Sequence, residues 1–409
     1  MHIGTFIKYC RLFRGLTQKE VSNGICTPAH MSRMESGENF ITKEMILKVG
    51  IKLNMDIERM HRSFKKWQMD LELWHDFMCK DVTGEIESLK ETIENNQLLQ
   101  IETINGTYKL LKARYYIKKG NLWEATSYLN QFMNIRNSFY MSSYDYQLYY
   151  HIKGMLELSK GHSMKAIELL ESIDETKYTN KEFYLHLAYA YHECSETKKS
   201  IQCIETAMNY FKVTYNFSGM MDGSIFLLKA EGRKGSRSLT VLEEKYEKLI
   251  HRCHHLHDDR RNAILHINLG NEYLIDQDYK RAIDTYSIAC QLLKERPDSI
   301  DYLVSIIGLV RSSILLNENG DKTRNLDLLT KGIKFAETIR DTYRYTLLNM
   351  LKKRLKDGEY AYMQYIEKIL IPLLIREGRY SECHKYMNEV SLYKKNNSCL
   401  IQHPDMAVY

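Results

Sequence analysis

Between Gly24 and Gly37 the chain reads GICTPAHMSRMESG, with His30 and Arg33 three residues apart behind a Thr-Pro start. An arginine can give paired hydrogen bonds to guanine O6 and N7, and a small methyl can meet the thymine methyl, so these are side chains with which a helix reads the DNA major groove. Spacing puts Met31 and Met34 toward a core, which leaves Thr27, Pro28, Ala29, His30 and Arg33 on the outward face. Gln18, Lys19 and Ser32 are placed for phosphate oxygens, contacts that fix position without reading sequence.

Metal and catalytic chemistry find less support. HRCHHLHDD, His251 to Asp259, sets His251 and His255 four residues apart on one helix face with Asp259 a turn on, but lacks the glutamate of an HExxH site. We read no metal and no cofactor there. No P-loop, Rossmann glycine pattern or G-x-S-x-G is present, and the carboxylates show no evident pair. The expectation is a binding protein and not an enzyme.

The elements that must carry the reading residues follow from punctuation. Ile3, Phe6, Ile7, Cys10 and Phe13 recur at helical spacing before Gly15. Thr17-Gln18-Lys19-Glu20 is a capping box that starts a second helix, and Gly24 stops it. Thr27 caps a third helix with Pro28 at its first position, and Gly37 ends it. Thr42 caps a fourth, Lys43 to Leu53, with Met45, Ile46, Val49 and Leu53 as its buried stripe. Two short helices across a tight turn, covered by flanking helices, make a helix-turn-helix, in which the helix after the turn enters the major groove. The alternative is four amphipathic helices capping a solenoid, with His30 and Arg33 simply solvated.

The other residues extend the all-α pattern. In 409 residues there are only four prolines, and 44% of residues are hydrophobic, so long helices and a sizeable buried core are expected. The net charge of +6 is mild, but Met1 to Arg62 holds ten Lys/Arg against six Asp/Glu, so the basic excess concentrates at that end. Nine cysteines without a CxxC pair read as reduced, mostly buried thiols. Nothing approaches about 18 consecutive apolar residues, and Lys8, Arg11 and Arg14 break any signal-peptide run, so no membrane span and a cytoplasmic location are expected.

From Ala263 to Ala289, Leu269, Gly270, Tyr273, Tyr279, Ala282, Tyr286 and Ala289 occupy the tetratricopeptide positions at which small residues let two antiparallel helices approach. Weaker copies surround it, with Gly120, Gly161, Gly358 and Gly378 marking turns and Gly232 to Ser238 an exposed basic turn. Seven or eight such pairs would wind into a right-handed superhelix with a concave face suited to extended peptides. Asn268 and Asn349 fall at equivalent repeat positions, where an amide can donate to and accept from a peptide backbone. Asn271, Tyr189 and His192 are further peptide-binding candidates; each Asn could instead be a solvated or capping residue. Trp67, Trp74 and Phe77 form a bulky stripe that packs a linker helix on the first repeat or meets a second copy.

RLFRGLTQKEVSNGICTPAHMSRMESG resembles the Xre/Cro-type helix-turn-helix over residues 3 to about 60, with His30 where peptide-responsive members carry Tyr and Ile41-Thr42 where Pro-Ser is frequent. Joined to a tetratricopeptide array, it resembles the RRNPP family (Rap, Rgg, NprR, PlcR, PrgX) of peptide-pheromone receptors. That resemblance implies a homodimeric, cytoplasmic transcription regulator that binds a double-stranded DNA operator and a short signalling peptide, as in quorum sensing. The expected division is 1–62 for the DNA-binding domain, 63–105 for a linker helix and imperfect first repeat, 106–396 for the sensing array and 397–409 for a tail. Alternatives are a phage lysis–lysogeny peptide receptor, a bifunctional regulator that also binds a response regulator, and an interaction adaptor that never touches DNA.

Overall fold

Hydrogen-bonding caps set the first helix boundaries. In the computed structural model, which describes residues 1–135, 141–232, 238–295, 297, 299–316 and 322–396, α1 spans Ile3–Phe13, α2 Gln18–Ser22, α3 Pro28–Ser36 and α4 Lys43–Leu53. The Thr17 hydroxyl accepts from the Glu20 N–H while the Glu20 carboxylate accepts from the Thr17 N–H at 2.7 Å, closing the expected capping box. Thr27 caps α3 by accepting from the His30 N–H, Pro28 opens it, and Gly37 ends it at φ 84°, where a side chain would be strained. Phe6, Ile7, Cys10, Val21, Met31, Met34, Val49 and Leu53 fill the space between the four helices.

No glycine or proline interrupts the stripe Ile57, Phe64, Trp67, Leu71, Trp74 and Met78, and these residues form one helix, α5, Ile57–Lys80. The border expected at residue 62 therefore falls inside a continuous rod about 36 Å long. Its first turns belong to the helix-turn-helix unit: Phe64 lies 5.5 Å from the Phe6 ring, and a His61 ring nitrogen pairs with the Met1 carbonyl at 3.0 Å. Trp67 and Trp74 are fully buried, and Trp74 donates to the Ile86 carbonyl of α6, Thr83–Glu94, so the tryptophan stripe is core between linker and array.

Helix pairs follow: α7 Gly106–Lys118 with α8 Leu122–Ile135, α9 Ser143–Ser159 with α10 Ser163–Glu171, and α11 Phe183–Glu193 with α12 Thr197–Val213. Next come α13 Phe217–Gly232 with α14 Leu239–His255, α15 Asp259–Ile275 with α16 Tyr279–Leu292, and α17 Ile300–Leu315 with α18 Lys322–Thr338. α19, Thr342–Tyr365, breaks at Gly358 (φ 84°) into two helical stretches; the second continues through one π turn, beside Pro372, into α20, Ile371–Arg376, and α21, Tyr380–Asn396, closes the stack. Each pair packs chiefly on its neighbours, the tetratricopeptide arrangement. The Tyr286 ring shows why small residues recur: it lies where a Cβ on either Gly270 or Gly308 would have to sit. Every regular element among the described residues is a helix, with no strand. Residues 233–237 of the expected basic turn and the 397–409 tail lie outside the described residues.

First helices of successive pairs pack on one another, the series that lines the inner hollow of a tetratricopeptide superhelix, and α5 packs against two of them, α7 and α13. There Asp81, which ends α5 in the left-handed region (φ 60°), is ion-paired to Lys118 of α7, to Arg261 of α15 at 3.2 Å and to Arg260 at 3.8 Å. Arg261 also reaches Asp222 of α13 at 2.7 Å and Asp258 at 2.8 Å. Far along the chain the array meets itself again: Arg379 donates to the Lys160 carbonyl at 3.1 Å, and the Arg340 guanidinium lies 4.4 Å from the Trp123 ring centre.

Burial works to raise the Asp81 carboxyl, but Lys118, Arg261 and Arg260 outweigh it and hold it down at about 2. Because the unfolded chain takes up this proton at higher pH than the folded one, the Asp81 contribution is complete above about pH 4 and is lost as pH falls toward 2. Replacing Asp81 with Asn should cost about 2 kcal/mol at neutral pH and flatten stability between pH 4 and 2, as measured by urea denaturation across that range.

Candidate DNA-reading face and array interior

α3 is held by a buried ion pair and not by apolar packing alone. Arg11 of α1 gives two hydrogen bonds to Glu35, at 2.6 and 2.8 Å, and a third to the Leu16 carbonyl at 2.7 Å, with both charged side chains almost fully buried. Gln18 of α2 donates to the same Glu35 at 2.8 Å, so this residue, expected at a phosphate, is half-buried and tied into the frame. Lys52 of α4 donates to the Asn23 carbonyl at the end of α2, and Arg14 donates to the Leu53 carbonyl at 3.0 Å. These contacts fix the angle between α2 and α3.

Thr27, Pro28, Ala29, Ser32 and Arg33 are exposed along one side of α3, while Met31 and Met34 have no exposed surface. Lys19 is exposed on the neighbouring α2. The Thr27 hydroxyl is spent on the cap, which leaves its methyl outward. His30 is half-buried, with Nδ1 3.3 Å from the Asn39 amide, so part of its ring is held by the following loop. The exposed α3 set is brought together as expected, with Gln18 drawn inward.

Inside the array, a cavity of about 740 Å³ lies between α5 and the first repeats, lined among others by His75, Asp76 and Cys79 of α5, Tyr144 and Leu148 of α9, and Asn180, Tyr210 and Asn216. Asn180 accepts from the Glu182 N–H at 2.9 Å and Asn216 from the Gly219 N–H at 2.8 Å, just ahead of α11 and at the start of α13. Their amides turn to Cys79, Asn216 donating to its carbonyl at 3.2 Å and Asn180 to its sulfur at 3.5 Å. Behind this wall, Arg114 bonds both oxygens of Glu182 at 2.7 and 2.8 Å, and Cys79 donates to Glu182 at 3.2 Å. His151 joins the Tyr178 hydroxyl at 2.7 Å and His186 at 3.0 Å. The Nε2 of His75 is buried without a hydrogen-bond partner among the described residues.

Burial, reinforced by the Arg114 charge, pulls His75 down to about 3; burial pulls His186 to about 4, and drives His151 well below its ordinary value with His186 adding to the effect. All three are neutral in the folded protein near neutrality. The sequence alone does not reveal this cluster, because its members come from α5, α7, α9, α11 and the segments before α11 and α13 and share no spacing.

Of the residues expected to bind peptide, Tyr189 and His192 lie on α11, Asn268 and Asn271 on α15 and Asn349 on α19, each the first helix of its pair. Tyr189 and His192 pack edge-on against Phe226, at 4.8 and 5.5 Å; His192 is buried and Tyr189 half-buried. Asn271 is exposed and accepts from the Tyr286 hydroxyl at 2.7 Å; Asn268 is half-buried on the same helix; Asn349 donates back to the Tyr345 carbonyl at 3.0 Å. None of the five lines the 740 Å³ cavity. His251 and His255 sit with nitrogens 3.2 Å apart on an exposed surface, and no three His, Cys, Asp or Glu side chains converge as a metal site among the described residues. No described helix is long and apolar enough to cross a membrane.

No protein-family model matches the sequence, and no curated protein matches it. Among solved structures the fold is shared with NprR in complex with its cognate peptide NprX, at 20% identity and TM-score 0.57 over 80% of this chain and 98% of that one. It is shared with the apo quorum sensor NprR from B. thuringiensis, at 21% identity and TM-score 0.53 over 82% and 94%. A Rap protein complexed with Competence and Sporulation Factor aligns at 15% identity and TM-score 0.63 over 82% and 93%.

Two outcomes follow from this geometry. Replacing Glu35 with Gln leaves Arg11 buried without a counter-charge and should destabilise the N-terminal unit by about 3 kcal/mol, seen as faster amide exchange in α1 to α4 with the distant repeats unchanged. Since the unfolded chain protonates its histidines near pH 6.5 and the folded cluster resists to about pH 4, stability should fall as pH drops through that window, with uptake of about two to three protons on unfolding. Denaturation at stepped pH reads this, and His75→Gln together with His186→Gln should remove most of the slope.

Proposed function

We propose that this chain is a peptide-responsive transcription regulator of the RRNPP family, a cytoplasmic homodimer that acts by binding and not by catalysis. The observation that carries the reading is the shape of α3: a proline-started helix with its methionines buried and Thr27, Pro28, Ala29, Ser32 and Arg33 exposed, rigidly joined through α5 to a repeat array. The shared fold supports the sensing half, since one neighbour holds its cognate peptide and another is complexed with Competence and Sporulation Factor.

Arg33 then reads a guanine, Ala29 and the Thr27 methyl meet thymine, and Lys19 and Ser32 hold phosphates. A second copy docks so that two α3 helices meet half-sites about 34 Å apart or a multiple of it. Phe40, Leu47 and Ile51, 88%, 64% and 79% exposed beside the reading unit, supply apolar surface for that contact. A peptide in the hollow shifts the array between shapes by its differential affinity for them, and α5 carries the shift to α3.

Selection of bound fragments from a randomised DNA pool, with full-length protein at several salt concentrations, tests this. Arg33→Ala should cost about 1–3 kcal/mol on the selected operator and relax one base position, whereas Lys19→Ala should weaken all sequences alike and reduce the salt slope by about one. If no fragment is enriched with or without cell-derived oligopeptides, the DNA-binding reading is wrong.

A further inference from the structure

Between α17, α19 and α21 lies a separate cavity of about 170 Å³. Ile307, Leu347, Met350, Leu351 and Tyr386 give it an apolar wall, and its charged members are Arg311, Lys385 and Glu382. Glu382 does not balance the two cations: one of its oxygens takes the Tyr343 hydroxyl, and the other takes Arg379 at 2.9 Å. Arg311 is half-buried, and among the described residues it makes neither an ion pair nor a hydrogen bond. The Arg311 charge is the main reason the Lys385 ammonium titrates below its ordinary range, with burial second and Glu389 and Glu382 opposing. Glu389 is itself held by the Tyr362 hydroxyl at 2.9 Å.

Two cations that repel each other at the rim of a small apolar cavity leave room for one anion. Five apolar wall residues would give a free inorganic anion nothing, whereas a carboxylate attached to an apolar side chain uses both halves of the site. A guanidinium fork matches the two oxygens of a carboxylate, and an ammonium adds a point charge. The cavity lies on α17 and α19, first helices of their pairs, the series that faces the hollow. We propose that it receives the C-terminal end of the signalling peptide, Arg311 and Lys385 holding the terminal carboxylate while the last, apolar side chain enters the wall of Ile307, Leu347, Met350 and Leu351. This deepens the peptide-binding reading above and rests on it.

Two pools of randomised hexapeptides test the assignment, one ending in a free carboxylate and the other in an amide, each incubated with the full-length protein and read by mass spectrometry of the retained fraction. The free-acid pool should be retained about tenfold better, with Leu, Ile, Val or Met enriched at the last position. Arg311→Met keeps the aliphatic stem and removes a charge that has no partner, so it should melt no lower than the parent and lose that tenfold preference. Lys385→Met, on an exposed position, should lose part of it and serves if the first variant fails to fold. Equal retention of the two pools, or an unchanged preference in both variants, overturns the carboxylate site and leaves peptide binding standing. Retention of neither pool sinks the peptide reading itself, and this inference with it. If millimolar inorganic phosphate displaces the free-acid pool and no apolar last residue is enriched, the cavity is a phosphate site and the proposal is wrong.

Discussion

One carboxylate, Asp81, ties the two halves of the molecule together. It ends the helix that begins in the helix-turn-helix core, and it is gripped by Lys118 from the first repeat pair and by Arg260 and Arg261 from the fifth. A helix free at its far end would transmit nothing, because torsion and tilt would dissipate in the linker. Gripped at both ends, by Phe6 and the Met1 carbonyl at one and by the charge hub at the other, α5 would, in the proposed function, make the orientation of α3 depend on where repeats far apart in sequence sit relative to each other. An ion-paired hub suits this role better than an apolar plug. Arg261 holds Asp222 and Asp258 through directional hydrogen bonds, which weaken steeply as their angle opens, and the arrangement therefore favours discrete states over gradual deformation.

Beside the hub the interior is polar. Arg114 and Glu182 are paired at full burial, and three histidines are kept neutral beside them, so the net charge carried inward is small. Removing one partner from such a set is costly, which is why buried polar clusters specify one packing even when they add little net stability. Asn180 and Asn216 each do double duty, satisfying backbone N–H groups near the start of successive first helices while their amides hold Cys79. The same residues that set where α11 and α13 begin therefore also locate the end of α5.

Much of this was legible in the sequence where the signal was local. Thr17 with Glu20, Thr27 with Pro28, and the glycines at 24 and 37 act within four residues of themselves, and each behaves as its chemistry requires. Met31 and Met34 were placed by period alone, and Tyr286 with Gly270 by a repeat whose contacts are nearly sequential. What was not legible depends on distance along the chain. Gln18 reads as a surface amide until Glu35, seventeen residues on, is brought beneath it. Tyr189 and His192 read as peptide-binding candidates until Phe226, thirty-four residues beyond His192, is packed against both rings. Asp81, Arg114 and Glu182 carry no motif, because the superhelix and not the local chain decides which of its turns meet. The border at residue 62 illustrates a related point: the helix-turn-helix pattern ends there, while the apolar stripe of α5 passes through it uninterrupted.

In the proposed function this geometry divides the hollow into two halves with different duties. The N-terminal half is already occupied by the chain itself, for α5 brings Trp67, Leu71, Trp74 and Met78 against the first repeats and leaves a polar cavity beside His75. The C-terminal half, from α15 onward, holds the exposed Asn271 and the unbalanced Arg311, groups that still have hydrogen-bonding or charge capacity to give. A ligand taken up there can act on α5 through the Arg260–Arg261 pair at the head of α15, which holds Asp81 at the end of α5. Tightening or loosening the later repeats moves that pair against Asp81, and a rod about 36 Å long turns a small angular change at its root into a larger displacement at α3.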